Sequence, residues 1–452
     1  MRIGFVFAAL LALIAISAGS ALAAPAPAPT STVDVQKLPP IGPASHDAPV
    51  KFDAGKAVNA YLATVSGEAR KRSDAYFEGQ AEWLPLVDAI YAIVVAALLL
   101  WLRISARMRN FAQGVTRSRF WQVPIYVLMF LVLTTVLTFP LTVYEDFIRE
   151  HAYGLSNMTF LQWLGDFAKT FGMTFLAGTV VLTLIYAAIR GTGRSWWVWG
   201  WLITMAFSVL LAVIAPVFIA PVFNHYYPLK EGPVKTEILS MARAEGIPAT
   251  NVYEFNASRQ SKRISANVSG FLGTTQISMT DNLINRASPR EIYAVLGHEM
   301  GHYVLDHIII GLTWVGIVFL AGFAFVNWGF RFLAGIFGGN WEVRSIDDPA
   351  GLPVIWALFV FFLLIMTPVL NTITRTTERQ ADIFGLNAAR QPDGFATSAL
   401  KLAEYRKLDP SPFEEFVFYD HPSGRSRITM AMRWKAEHLN DPDVKAGPVS
   451  PQ

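Results

Sequence analysis

Residues 353–382 read PVIWALFVFFLLIMTPVLNTITRTTERQAD, in which an apolar run without a charged residue up to position 373 leads directly into a charged stretch. A run of about 20 apolar residues can cross the hydrocarbon core of a bilayer as an α-helix. The chain has five further runs of this kind, at approximately 84–102, 123–143, 170–189, 198–220 and 308–334. These runs predict a mostly α-helical, polytopic membrane protein.

The composition excludes several classes of protein. Of 452 residues, 53% are apolar or aromatic and 16% are charged, whereas soluble globular proteins have about 25% charged residues. The net charge of +3 shows no nucleic-acid footprint, and we expect no nucleic-acid partner. The sequence has no cysteine, so disulfides, thiolate metal ligands and cysteine nucleophiles are excluded, and a transition metal must use His, Asp or Glu.

The first 23 residues have the pattern of a secretory signal peptide. Arg2 precedes an apolar run at residues 3–16, and Ala21-Leu22-Ala23 supplies the small residues of a cleavage site. The alternative is an uncleaved first transmembrane segment, for which this run is short.

Residues 298–302, His298-Glu299-Met300-Gly301-His302, form an H-E-x-x-H motif. Four residues advance a helix by about 400°, so both imidazoles leave one face and can bind one tetrahedral Zn²⁺ per chain. Glu299 is then placed to take a proton from water at the metal. Ser288-Pro289-Arg290-Glu291 is a plausible start for this helix. The alternative is a pair of surface histidines on a helix close to the membrane.

Glu378 is the best candidate for a third zinc ligand. It follows the sixth apolar run, so a transmembrane hairpin would return it to the level of His298. Asp382, one turn later, can accept an N–H from a ligating histidine and orient it. The alternative is that both carboxylates belong to a solvated helix face. We interpret His307 as an interfacial polar residue rather than a ligand.

Two sets of residues carry a family resemblance. Leu296-Gly297-His298-Glu299-Met300-Gly301-His302-Tyr303 and Glu378-Arg379-Gln380-Ala381-Asp382 resemble the type I CAAX prenyl endopeptidases, membrane gluzincins related to the heat-shock membrane metalloproteases. Further matching segments occur in the same order, at 144–159, 219–232, 261–263, His421-Pro422 and Arg427-Ile428. The resemblance implies that His298, His302 and Glu378 bind zinc and that Glu299 is the general base.

The resemblance also implies roles for three residues outside the zinc motif. His421 and Arg427 would bind substrate or stabilise the oxyanion, where cationic or N–H donors are needed. A substrate-binding Asn is expected in an edge strand after Ser261-Lys262-Arg263. Asn267 is the nearby Asn, although an ungapped alignment places Ser265 at that position.

The fold expected from the resemblance is a zincin-like catalytic module, helices plus a small β-sheet, split by a transmembrane hairpin. The predicted order is a signal peptide or first transmembrane segment (1–23), a linker and polar helical segment (24–82), a four-span transmembrane region (83–222), the first segment of the catalytic module with the H-E-x-x-H motif (223–307), the hairpin (308–375) and the second segment of the catalytic module with the third ligand and the His-Pro motif (376–452).

The orientation in the membrane has two interpretations. The dense basic loop at 103–119, with Arg190 and Arg194 in another loop, predicts that these loops face the cytoplasm and both segments of the catalytic module face the extracytoplasmic side. The family implies the reverse for its eukaryotic members, whose catalytic modules face the cytosol, and a retained first span would recover that topology. We favour the charge argument slightly.

The sequence therefore predicts a zinc-dependent endopeptidase in the membrane, for a bacterial chain the inner membrane. Its partners would be the lipid bilayer and peptide or protein substrates, either CAAX-type or misfolded membrane-associated polypeptides. The alternative is a non-proteolytic scaffold or transporter that retains a zinc site. Glu299 argues against the alternative, because a structural site does not need that carboxylate.

Overall fold

A computed structural model describes residues 52–269 and 275–444. The signal peptide or first span predicted at 1–23 lies outside the described residues and stays a prediction. Helices form most of the described chain, and the first half contains α1 (Ala54–Ala63), α2 (Gly67–Phe77), α3 (Leu84–Trp101), α4 (Ile104–Val115), α5 (Arg119–Val143), α6 (Glu150–Ala152), α7 (Phe160–Thr192), α8 (Trp196–Ile214) and α9 (Ala220–Phe223).

The second half contains a small sheet and further helices. The sheet has strands β1 (Tyr226–Pro228), β2 (Val252–Phe255), β3 (Ala266–Ser269) and β4 (Gln276–Thr280). The helices are α10 (Pro233–Ala244), α11 (Asp281–Arg286), α12 (Pro289–Val304), α13 (His307–Trp341), α14 (Leu352–Ala389), α15 (Pro392–Lys401), α16 (Pro412–Phe418) and α17 (Gly424–Glu437).

Among the described residues, five helical stretches are long and apolar enough to cross a membrane: Gly67–Trp101, Arg119–Ala152, Phe160–Ile214, His307–Trp341 and Pro349–Ala389. The six predicted runs map onto these five stretches, because Phe160–Ile214 contains two of them. A short 3₁₀ turn at Gly193–Ser195, with Gly193 at φ +56°, reverses the chain there, and α7 and α8 pack side by side. The prediction of a mostly helical, polytopic protein is confirmed.

The ends of several helices meet at one end of the bundle, which we call the distal end. Arg190, near the end of α7, donates to the backbone carbonyl of Arg119 at the start of α5. Arg109 of α4 and Asp348, just before α14, form an ion pair of 2.6 Å in which both side chains are 4% exposed. Helix α13 runs to this end and α14 runs back from it.

The four strands are ordered β1-β2-β4-β3, so β3 is an edge strand. β2 and β4 are parallel, and the other two pairs are antiparallel. Every residue of β4 is buried, and Ile277 and Met279 pack with Leu296 and Met300 of α12. The sheet thus supports the helix that carries the H-E-x-x-H motif.

Helix α12 begins as the sequence predicts. Pro289 occupies the first turn, the Ser288 hydroxyl accepts from the Glu291 backbone N–H, and the Glu291 carboxylate accepts from the Ser288 N–H. This reciprocal capping satisfies two donors that a helix start otherwise leaves without partners.

Glycines let α12 and α14 cross at very short distance. A Cβ added to Gly385 of α14 would lie 2.6 Å from the backbone nitrogen of His298, and one added to Gly297 would lie 3.0 Å from the carbonyl oxygen of Gly385. A Cβ added to Gly301 would lie 3.0 Å from the Cα of Ala381. The small residues therefore set the distance between the two motifs predicted to bind metal.

We predict that Gly385→Ala lowers the free energy of unfolding by about 1–3 kcal/mol, because the added methyl group forces the two helices apart. Thermal unfolding of the detergent-purified protein measures this. The control is Gly335→Ala in α13, where an added Cβ meets no atom within 4 Å and alanine favours the helix by about 1 kcal/mol. An unchanged Tm for Gly385→Ala would show that the crossing is looser than described.

Candidate active site

Two histidines of α12 and one glutamate of α14 converge on a single point. The Nε2 atoms of His298 and His302 are 3.1 Å apart. Glu378 places Oε2 at 3.2 Å from the Nε2 of His298 and Oε1 at 3.5 Å from the Nε2 of His302. One ligand atom from each of the three residues lies within 4.8 Å of the other two.

These separations fit a tetrahedral zinc site. Ligand atoms about 2.0–2.1 Å from a zinc ion at tetrahedral angles lie about 3.3 Å from one another. The separation of the two histidine nitrogens, 3.1 Å, and the distances from them to the two carboxylate oxygens of Glu378, 3.2 and 3.5 Å, bracket that value. Two imidazoles and one carboxylate are also a donor set that zinc uses in catalytic sites. The residues present therefore fit the metal.

A buried ion pair holds the imidazole of His298. Its Nδ1 lies 2.8 Å from the Oδ1 atom of Asp382, which is fully buried. Arg427 donates from Nε to both oxygens of Asp382, at 3.1 and 2.9 Å. Burial opposes protonation of His298, but the hydrogen bonds with Asp382 and Glu378 raise its pKa to about 10. A metal ion at Nε2 would therefore compete with a proton.

His302 is held by a second chain of hydrogen bonds, through His307. The Nδ1 atoms of the two rings are 3.0 Å apart, and the Nε2 of His307 lies 3.1 Å from the Oε1 of Gln380. Because that amide oxygen only accepts, His307 donates from Nε2 and accepts at Nδ1. His302 then donates from Nδ1, which leaves its Nε2 available to a metal.

The interpretation of His307 as an interfacial polar residue missed this contact. Asp306 adopts a left-handed conformation, φ +53°, that turns the chain between α12 and α13. This turn brings His307 back onto His302. Spacing along a single helix gives no signal for such a contact.

His421 approaches the site from the loop before α17. Its Nε2 lies 3.2 Å from Oε2 of Glu378, and its Nδ1 lies 2.8 Å from Oδ1 of Asp420. Burial raises the pKa of Asp420, but the neighbouring His421 outweighs burial and holds it well below its usual range. Sequence reasoning did not single out Asp420, although its position beside the His-Pro motif was a usable signal.

A cavity of about 1140 Å³ adjoins these residues and extends between the membrane-spanning helices. Burial raises the pKa of Glu299, which lines the cavity, while the charges of His298 and His302 oppose that rise. Seven of the eight predicted site residues line this one cavity: Asn267, His298, Glu299, His302, Glu378, His421 and Arg427. The eighth, Asp382, is buried behind His298.

The walls of the cavity come from both halves of the chain. Asn267 and Ser265, on and just before edge strand β3, line one side. Apolar side chains of the membrane-spanning helices line the other, including Met205 of α8, Phe319 of α13 and Leu363 of α14. Polar groups able to act on a peptide bond therefore border a largely apolar space.

Known proteins resemble this chain along most of its length. The family model described as CAAX prenyl protease N-terminal, five membrane helices, matches residues 56–225. The model described as peptidase family M48 matches residues 228–435. The chain belongs to the type I CAAX prenyl proteases of peptidase family M48.

Individual relatives agree with the family. The chain is 30% identical over 333 residues to the uncharacterized metalloprotease YhfN of Bacillus subtilis, which is 73% of this chain and 77% of that protein. It is 28% identical over 316 residues to CAAX prenyl protease 1 of Saccharomyces cerevisiae, covering 66% and 69%. The crystal structure of S. mikatae Ste24p has the same fold, with a TM-score of 0.68 at 21% identity, covering 84% of this chain and 94% of that one.

These matches confirm the predicted family and the predicted class of function. The chain is a zinc-dependent endopeptidase of the membrane, and the alternative of a non-proteolytic transporter or scaffold is not favoured. The five apolar helical stretches make it an integral membrane protein.

We predict that Asp382→Ala lowers the free energy of unfolding of the metal-free protein by about 3–5 kcal/mol, because the guanidinium of Arg427 remains buried without its partner. The double variant Asp382→Ala/Arg427→Met should recover much of this loss. Chemical or thermal unfolding in detergent measures both.

The matched control is Asp409→Ala, which removes a carboxylate that pairs with Arg425 where the two side chains are 31% and 44% exposed. This change should cost at most about 1 kcal/mol. A double variant as unstable as Asp382→Ala alone would contradict the prediction.

Proposed function

We propose that His298, His302 and Glu378 hold one zinc ion and that Glu299 is the general base that hydrolyses a peptide bond in the adjoining cavity. The observation that carries this proposal is the convergence of two imidazole nitrogens and the Glu378 carboxylate, whose ligand atoms lie within 4.8 Å of one another, as a tetrahedral metal site requires. The approach of α12 to α14 also supports residues 223–307 and 376–452 as two segments of one catalytic module.

The catalytic steps follow from the positions of the side chains. A zinc ion at these ligands supplies a Lewis acid that polarises the scissile carbonyl and acidifies the attacking water. Glu299 accepts a proton from the water and passes it to the leaving amine. Burial raises the pKa of this carboxyl, which supports both steps because the carboxyl then accepts and releases a proton more readily near neutral pH.

His421 is placed to stabilise the oxyanion. Its Nε2, 3.2 Å from Glu378, lies beside the proposed metal ligands, and the Asp420 carboxylate accepts a hydrogen bond from Nδ1–H. In the imidazolium form Nε2 also carries a proton, and this second donor counters the negative charge that develops on the carbonyl oxygen. Arg427 is engaged with Asp382, so we propose that it acts mainly by fixing His298 through that carboxylate, while its oxyanion role remains a prediction.

The substrate is a polypeptide in extended conformation. Edge strand β3 borders the cavity, and an extended peptide can add to an edge strand. Asn267 or Ser265 would then bind the substrate backbone. A volume of about 1140 Å³ exceeds that of an ordinary small-molecule pocket, roughly 300–1,000 Å³.

The apolar walls indicate which polypeptides enter. A membrane-associated chain with an apolar or lipid-modified end matches the side chains from α8, α13 and α14. Several relatives are named CAAX prenyl protease 1, and we propose CAAX-type substrates for this chain as well. Misfolded membrane polypeptides present the same combination of an extended backbone and apolar side chains.

We propose the bacterial inner membrane, with the catalytic module on the extracytoplasmic side. A bacterial relative, YhfN, supports the first statement. The second rests on the exposed arginines at the distal end, including Arg107, Arg117 and Arg194. Loops rich in Lys and Arg remain in the cytoplasm.

We predict that Glu299→Gln keeps tight stoichiometric zinc but loses about 10²–10⁴-fold of the peptidase activity, because it removes a base and not a ligand. Glu378→Gln, the same substitution on α14, should lose both zinc and activity. Metal analysis of the purified proteins and cleavage of casein or a prenylated peptide provide the two measurements. Glu299→Gln with near wild-type activity would falsify the assignment of the base, and Glu378→Gln with tight zinc would remove the third ligand.

We predict that a phosphatase reporter fused after residue 260 is active and that one fused after residue 110 is inactive, because the phosphatase is active only outside the cytoplasm. A fusion after residue 440 should match the fusion after 260, since ligands from both segments of the module form one site. The reverse pattern would place the catalytic module in the cytoplasm. Different compartments for residues 260 and 440 would refute the shared zinc site.

A further inference from the structure

A second cavity, of about 370 Å³, lies at the distal end of the bundle, remote from the proposed zinc site. Four arginines from different elements line it. Arg119 begins α5, Arg190 lies near the end of α7, Arg194 is in the turn before α8, and Arg331 is on α13. We call this group the arginine pocket.

The positive charge of the arginine pocket is not balanced within the described chain. Asp347 is the one carboxylate among its lining residues, and it accepts a hydrogen bond from the Ser345 hydroxyl. No ion pair within 4.0 Å joins any of the four arginines to a carboxylate of the described residues. Other distal arginines differ, because Arg103 pairs with Glu342 at 2.8 Å and Arg109 with Asp348 at 2.6 Å.

Arg190 adds a more specific observation. Its two terminal nitrogens donate to the backbone carbonyls of Arg119 and Asp347. Its Nε is buried and has no hydrogen-bond partner among the described residues. A buried N–H without an acceptor is costly, and this one belongs to a side chain that lines the pocket.

The surroundings place the pocket at the surface of the bilayer. Large aromatic side chains project outward at the same end of the bundle: Phe120, Trp121, Trp199, Trp328 and Phe332 are between 47% and 65% exposed. Exposed tryptophans at the ends of spans are typical of the membrane–water interface. Trp328 is one turn from Arg331 on α13, so apolar and cationic groups adjoin.

We propose that the arginine pocket binds the phosphate of an anionic phospholipid. Guanidinium groups donate in pairs to phosphate oxygens, and basic pockets between transmembrane helices bind anionic headgroups. The exposed aromatic side chains beside the pocket provide a surface for the acyl chains of a lipid. Free phosphate has no acyl chains and would leave this surface unused. We therefore choose the lipid rather than soluble phosphate as the ligand.

The test uses the full-length protein in a neutral detergent, titrated with phosphatidylglycerol and followed by native mass spectrometry of the lipid-bound protein. The variant is Arg194→Gln/Arg331→Gln, because both side chains are exposed and make no hydrogen bond within the described structure. If each arginine contributes about fivefold to the affinity, the affinity of this variant for phosphatidylglycerol should fall about 25-fold. Arg194→Lys/Arg331→Lys should retain most of the binding.

The control is Arg107→Gln/Arg117→Gln, which removes two exposed positive charges near the distal end but outside the pocket. This variant should bind phosphatidylglycerol within about twofold of wild type. An equal loss in both Gln variants would reduce the effect to general surface charge and overturn the proposal. The absence of phosphatidylglycerol binding by the wild-type protein would overturn it as well.

Inorganic phosphate and phosphatidylcholine separate the sources of the ligand. Neither should displace phosphatidylglycerol at equal concentration. Displacement by inorganic phosphate would make free phosphate the ligand and overturn the lipid assignment. Displacement by phosphatidylcholine, which has the same phosphodiester but no net charge, would show that the net negative charge of the headgroup does not determine binding, which would overturn the proposal too.

Discussion

The close crossing of α12 and α14 is the constraint on which the rest of the structure depends. Gly297, Gly301 and Gly385 remove side chains from the contact, so the backbone of one helix packs against that of the other. Helix α12 carries two of the proposed metal ligands and α14 carries the third. A larger side chain at the crossing would push the proposed ligands apart, whereas metal–ligand distances vary by only about 0.2 Å.

Around that crossing, each imidazole is fixed by a different kind of partner. His298 is bound to Asp382, whose charge is balanced by Arg427, while His302 is bound to neutral His307. Both arrangements place the proton on Nδ1 and direct Nε2 toward the same point. Because only one of these two partners, Asp382, is a carboxylate, less negative charge is buried beside Glu378 than if both histidines were bound to carboxylates.

The features of the site that follow a regular repeat could be predicted from the sequence alone. The spacing of His298 and His302 places them on one face of a helix. The two apolar runs that form the hairpin return Glu378 to the same level. His307 and Asp420 were missed because their contacts depend on a left-handed turn at Asp306 and on a loop, which have no periodic signal. The glycines of the crossing could also not be interpreted from the sequence, because the helix that each of them packs against was not known.

Helix α14 is both a membrane span and the support of a proposed metal ligand. It extends without interruption for 38 residues, and Glu378 lies about 39 Å along it from its start at the distal end. A change in tilt of about 5° about that start would move Glu378 by about 3 Å if α12 did not follow. Pro368, which removes a hydrogen bond from the helix, is where bending is easiest. A span can accommodate a change in bilayer thickness by tilting, so the thickness of the surrounding bilayer is a mechanical input to the position of Glu378.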